Sequence, residues 1–307
     1  MRTRRTFLGS LASIPLGSAL LAFESADPAP RLPISCNSYD WLTFYWRSGK
    51  SWGENPAADF AELSKTGLQA YEPGVSSRDE VRNMIPFLRQ HGIQMPSIYV
   101  GSVLHREDEA EKSIQEMLAI AEEARPFGLR ILVTNPNPIQ WGSPILKSEQ
   151  ELILQTQYME KLGAALREKG ITLAYHTHDA EMMAGAREFH HMLQNTSARN
   201  VSFCFDVHWV YRGCQNSQIA VFDVLKMYGH RIAELHLRQS AGGVWSETFG
   251  EGDIDYRRFA AELARMKIRP HLVIEQCVED KSPNTLDAVR AHQEDLAQVR
   301  EIFKVLL

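Results

Sequence analysis

From about residue 32 onward the chain alternates between short apolar runs and longer stretches whose apolar positions recur at helical spacing. The runs at 32–38, 69–72, 93–100, 130–134, 170–175, 201–206, 232–237 and 271–275 have the length of buried strands. Amphipathic stretches at 56–66, 77–91, 107–127, 148–169, 186–195, 219–228, 255–266 and 286–305 read as the helices between them. The aromatic, glycine-bearing segment at 41–54 reads as a loop. Ser77 with Glu80, and Ser148 with Glu151, have capping-box spacing and mark two helix starts. Eight strand–helix units imply parallel strands joined by helical crossovers. In about 275 residues this pattern predicts a single-domain (β/α)8 TIM barrel over 31–307. A doubly wound open sheet is the rival, but no GxGxxG follows the first strand.

In such a barrel, chemistry sits at the C-terminal strand ends. Strand two ends in Glu72, and strand five runs out into His176 and His178. Side chains alternate along a strand, so those two histidines share a face. By the same parity strand six presents Asp206 with His208, and strand seven His236 with Arg238. Strand eight ends in Glu275. Buried acids and imidazoles need compensation or they neutralise. Several on adjacent strands point to one bound divalent cation. Mixed carboxylate and imidazole donors suit manganese first, with zinc, cobalt, iron or magnesium as alternatives, over calcium.

Composition narrows the partners. The 307 residues are 44% hydrophobic with a formal net charge of -5, an ordinary globular balance without the basic face that nucleic acid requires. No apolar run after the N-terminus is long enough to cross a membrane. Cys36, Cys204, Cys214 and Cys277 form no CxxC pair and read as core residues. No GxSxG elbow supports acyl chemistry.

Residues 1–30 read as an export signal and linker. Arg4 and Arg5 precede Thr6-Phe7-Leu8 and a short apolar stretch at 11–23, resembling a twin-arginine leader. The expected location is the periplasm, reached in the folded state, with no stable membrane insertion.

The tracts LAYHTHDAE (173–181), FDVHWVYRG (205–213), IAELHLR (232–238), FGEGDID (249–255) and LVIE (272–275) occur in an order and spacing that resembles the xylose isomerase-like sugar phosphate isomerases and epimerases. The resemblance runs from about Ile34 to the C-terminus, and its nearest subgroup is the exported, twin-arginine members. It implies one divalent metal held by Glu, Asp, His and Glu from strands five to eight. Asp206, His236 and Glu275 match the last three. Counting from Gly170, the strand-five glutamate position falls on His176, a departure that leaves His176, His178 or Glu181 as the fourth ligand, with His176 favoured by position and Glu181 next.

The implied activity is a metal-dependent sugar isomerase or epimerase that removes a proton beside a carbonyl through a metal-stabilised ene-diolate. Glu275 would share in proton transfer, His208 would donate to a leaving oxygen, and His178 would do the same or orient the sugar. Arg238 would bind a sugar oxygen, a carboxylate or a phosphate, or else pair with Glu234 or Glu251, and Glu72 would hydrogen-bond the substrate or position a histidine. Without the strand-five glutamate a symmetric two-base epimerisation loses one base. A lyase or hydrolase acting on keto-sugars or keto-glycosides is therefore the alternative, and a non-catalytic periplasmic sugar-binding protein a further one. The partner is a small sugar in each case, and homo-oligomerisation is left open.

Overall fold

The computed structural model describes residues 31–307, so the leader expected at 1–30 lies outside the described residues. Eight strands form one parallel sheet: β1 (Ser35–Asn37), β2 (Ala70–Glu72), β3 (Ser97–Ser102), β4 (Ile131–Pro136), β5 (Thr172–Tyr175), β6 (Val201–Asp206), β7 (Ile232–Leu237) and β8 (His271–Ile274). Their order is β2-β1-β8-β7-β6-β5-β4-β3. The ring closes between β2 and β3 through the bridges Ala70–Gln94 and Gly74–Tyr99. This is the eight-stranded barrel the alternating pattern predicts.

The helices are α1 (Ser38–Arg47), α2 (Pro56–Ser64), α3 (Arg78–Gln90), α4 (Glu107–Ala124), α5 (Glu149–Glu168), α6 (Asp179–Asn195), α7 (Val207–Gly213), α8 (Gln218–Tyr228), α9 (Tyr256–Arg265) and α10 (Ala288–Ile302). They pack their apolar faces on the outside of the barrel, where Leu63, Leu88, Ile98, Met159, Phe189, Phe205 and Phe259 are buried in one continuous core. Capping sets the starts. Ser148 and Glu151 form both halves of the expected box, and Asn37, Asn55, Ser77 and Asp287 accept first-turn amides.

Three local expectations change. The segment read as a loop at 41–54 is largely α1: the Asn37 side chain accepts from the Tyr39 amide at 2.7 Å, and Trp41 and Phe44, three residues apart, bury one helical face. Strand six ends at Asp206 as its apolar run predicts, but strand parity does not carry on to His208, because the Asp206 side chain accepts the Trp209 amide at 2.7 Å and caps α7. The helix expected from 186 begins at Asp179. It is broken at 183–186, where Ala184, Gly185 and Ala186 take left-handed φ, and the earlier turn carries Glu181.

Candidate metal and sugar site

The strand ends β5 to β8 are neighbours in the sheet, so their terminal side chains meet at one point. His176, Asp206, His236 and Glu275 each bring one ligand atom within 4.8 Å of the others, and all four are buried. His176 Nε2 lies 3.5 Å from Asp206 Oδ2, and His236 Nδ1 2.9 Å from Glu275 Oε2. Among the described residues, both nitrogens of His176 and the Oδ2 of Asp206 have no hydrogen-bond partner. Orphaned lone pairs in a buried position are costly. Here they face one another in the donor set of a transition-metal or manganese site. The residues present fit a divalent cation.

His178 sits beside this set rather than in it. Its ring centroid is 4.8 Å from that of His176, as strand parity anticipated, and it is only partly buried between Trp141 at 5.0 Å and Trp209 at 5.3 Å. Asn135 fixes its tautomer. The Asn135 amide nitrogen donates to the His176 carbonyl at 3.2 Å and to Glu181 at 3.1 Å, so its oxygen accepts from His178 Nδ1 at 3.1 Å. His178 Nε2 is then a lone-pair acceptor, which suits the orienting role anticipated for it and not the donating one. Glu181 accepts from the His178 amide at 2.7 Å and from Asn135. Its carboxylate caps α6 and does not join the four convergent groups.

Glu72 lies under His236, with Oε1 3.0 Å from Nε2, though not in hydrogen-bond alignment, and it accepts from Asn37 Nδ2 at 2.6 Å. Glu234 continues this polar column, 3.4 Å from His236 Nε2 and 2.7 Å from His271 Nδ1. Arg238 is fully buried and pairs with Glu275 Oε1 at 3.0 Å, instead of Glu234 or Glu251. Its guanidinium lies 4.3 Å from the Trp245 ring and 5.2 Å from Trp209. His208 is not on a strand face with Asp206. It belongs to α7, buried beside Tyr211 and Trp245, with neither ring nitrogen bonded. Trp41 is buried against Trp52 and His292.

Protonation follows from burial first. Desolvation pulls His176 down and His178 well down, and takes His208 to about 3 with help from the Arg238 charge. These three imidazoles are neutral. Burial would also lower His236, but Cys204, Glu72 and Glu275 around the ring outweigh it and raise it well above the usual value. Burial alone would raise Glu275; Arg238 and His236 hold it below the ordinary carboxylate range. Glu72 is pushed up to about 7 by burial and by Glu234.

Sequence reasoning missed Asn135 and Asn37, since a lone amide at a strand end carries no parity signal. The FGEGDID tract turns out to be a latch. Asp253 accepts from Ser240 Oγ at 2.7 Å and from the Gly242 and Gly243 amides at 2.9 and 2.8 Å. It thereby fixes the hairpin Ser240–Ala241/Val244–Trp245 that carries Trp245. A Cβ at Gly252 would lie 2.3 Å from the Ser240 carbonyl, so this approach requires glycine.

A profile of the xylose isomerase-like TIM barrel family matches residues 60–302. The chain belongs to that family. Among named relatives, an inosose dehydratase of Clostridium botulinum is 25% identical over 262 residues, 76% of this chain and 86% of that protein. Among solved structures, a D-allulose 3-epimerase from Methylomonas sp. in complex with D-allulose superposes with a TM-score of 0.67 at 15% identity, over 88% of this chain and 97% of that one. A xylose isomerase-like TIM barrel protein from Mycobacterium smegmatis in complex with magnesium gives 0.65 at 14% identity, over 90% and 98%.

Proposed function

We propose that the protein removes the proton beside the carbonyl of a keto-sugar and expels the oxygen substituent β to that carbonyl. The observation that carries this reading is the imidazole at the end of β5. Epimerisation by two opposed bases needs a carboxylate on each face of the sugar. Here Glu275 is one, and a neutral His176, turned toward Asp206, stands where the other would be. The similarity to an inosose dehydratase supports elimination, while isomerisation and epimerisation share its first step.

A divalent cation held by His176, Asp206, His236 and Glu275 would supply Lewis-acid polarisation of the carbonyl and its neighbouring oxygen, manganese being the best match to the donors. Glu275, kept ionised by Arg238, is placed to take the proton from carbon. As that C–H bond breaks, its electron pair forms the C=C bond and the β C–O bond breaks. The departing oxygen leaves with a proton returned by Glu275, so a keto-sugar yields an enone and water or an alcohol. His178 Nε2 accepts from a sugar hydroxyl, and Arg238 Nη1, which has no partner among the described residues, donates to a sugar oxygen. Neutral His208 supplies a hydrogen bond rather than a strong acid. Glu72 holds His236 from behind, which ties it to the site without substrate contact. The Arg4-Arg5 leader supports action after export to the periplasm.

The test is incubation of the cation-loaded protein in heavy water with an inosose and with a ketohexose. Deuterium next to the carbonyl together with a dehydrated product is expected, and His176→Glu should raise the epimerised fraction. An epimer formed with no dehydrated product overturns elimination.

A further inference from the structure

Beside the cation cluster lies a cleft of about 1030 Å³, at the upper end of what small-ligand sites occupy. Its walls come from α1, from Arg212 on α7, from the β7 hairpin and from the segment after β8. Three of these follow the strands that deliver Asp206, His236 and Glu275. Trp245 is the shared wall: its ring lies 4.3 Å from the Arg238 guanidinium on the site side and 4.6 Å from that of Arg212, which lines the cleft. The Asp253 latch holds this wall in place before any ligand arrives.

The two arginines of the cleft are already paired. Arg212 makes a two-pronged pair with Glu279 at 3.0 Å and donates to the Gly243 carbonyl, while Arg47 is committed to Glu247 at 2.8 Å and to two backbone carbonyls. At the rim Lys281 and Asp280 have opposite sign. No guanidinium is left over for a phosphate, so a neutral ligand rich in hydroxyls suits the cleft better. Aromatic surface is also present. Trp46 is 57% exposed although Trp41 and Phe44 on the same helix are buried, and it meets Tyr39 edge to face at 6.2 Å. An exposed indole beside paired arginines matches the apolar face and polar rim of a pyranose ring.

We propose that this cleft is a subsite for a second sugar ring, joined by a glycosidic bond to the ring held at the cation cluster. The preferred substrate is then a glycoside of that sugar. The inference rests on the reading that a sugar binds at the cluster, and it adds the class of substituent that sugar carries.

Calorimetry on the cation-loaded protein tests it, with methyl β-glucoside, cellobiose and phenyl β-glucoside as probes. Cellobiose is expected to bind about tenfold tighter than methyl glucoside. Trp46→Ala should weaken cellobiose about 3- to 10-fold and leave methyl glucoside unchanged, with Trp46→Phe recovering part of the loss. Equal affinity for the two sugars, or no effect of Trp46→Ala, overturns the subsite. Preference for phenyl glucoside alone overturns the second ring in favour of an aryl group. Heavy-water exchange run in parallel separates the two readings. Exchange without a disaccharide preference removes only the subsite. A Trp46-dependent preference without exchange on any keto-sugar removes only the proposed reaction.

Discussion

Two buried groups of acids and imidazoles behave in opposite ways. At the barrel mouth, His176, Asp206, His236 and Glu275 come from four adjacent strand ends with lone pairs facing one point. Behind α1 and α10, His292 lies between Asp40 and Asp295 with no such convergence. Its Nδ1 donates to the Ala288 carbonyl at 2.7 Å, its Nε2 is 3.5 Å from Asp40 Oδ2, and its ring stacks on Trp41 at 4.5 Å. Asp295 accepts the Phe249 amide at 2.6 Å. Burial lowers His292, but Asp40 more than reverses this and raises it; burial pushes Asp40 up to about 6 and Asp295 up to about 8. Protons balance the charge there, whereas the mouth has the donor set for a cation. The number of buried ionisable groups does not define a site; the direction of their free lone pairs does.

Four experiments would break or sharpen this contrast. Chelation should lower keto-sugar proton exchange by about 10³-fold or more, since a Lewis acid contributes several kcal/mol. The fluorescence of Trp41, stacked on His292, should stay unchanged; a chelator-induced shift there would blur the distinction. Glu275→Gln should cut exchange about 10²- to 10⁴-fold, the range for a general base, as measured by deuterium uptake at saturating metal. Glu72→Gln should weaken cation affinity about 10- to 100-fold by loosening the support behind His236, read from metal titration, with wild-type turnover regained at high metal concentration. Asp295→Asn acts on the other cluster and changes stability alone. The folded pKa of Asp295 is raised from 3.8 to about 8, so its contribution is fully present below about pH 4 and is lost as pH rises toward 8. Urea unfolding should show the variant gaining about 1 to 3 kcal/mol relative to the wild type between those limits, with metal content unaffected.

The barrel was legible because strand and helix periods differ and alternate eight times. His176, Asp206, His236 and Glu275 were legible because each lies within one residue of a strand's C-terminal end, where parity fixes the facing side. Parity fails one step further on. His208 was placed with Asp206 by extending β6, but the Asp206 carboxylate caps α7 and turns the chain away. Glu181 resembled a ligand by type, yet three residues after His178 it is in register to cap α6. The aromatic run of α1 concealed a helix because its signal was the cap at Asn37, not its hydrophobic pattern. Asn135 could not be found by pattern at all, since its role appears only when β4 and β5 lie side by side.

The ring of strands is fastened unevenly. Between β2 and β3 the closure is two bridges, carried by the Tyr71, Gln94, Val75 and Tyr99 amides. This light seam lies across the barrel from the run β5 to β8 that sets the spacing of the four donors. New chain termini cut at this seam are therefore expected to leave the spacing of His176, Asp206, His236 and Glu275 unchanged.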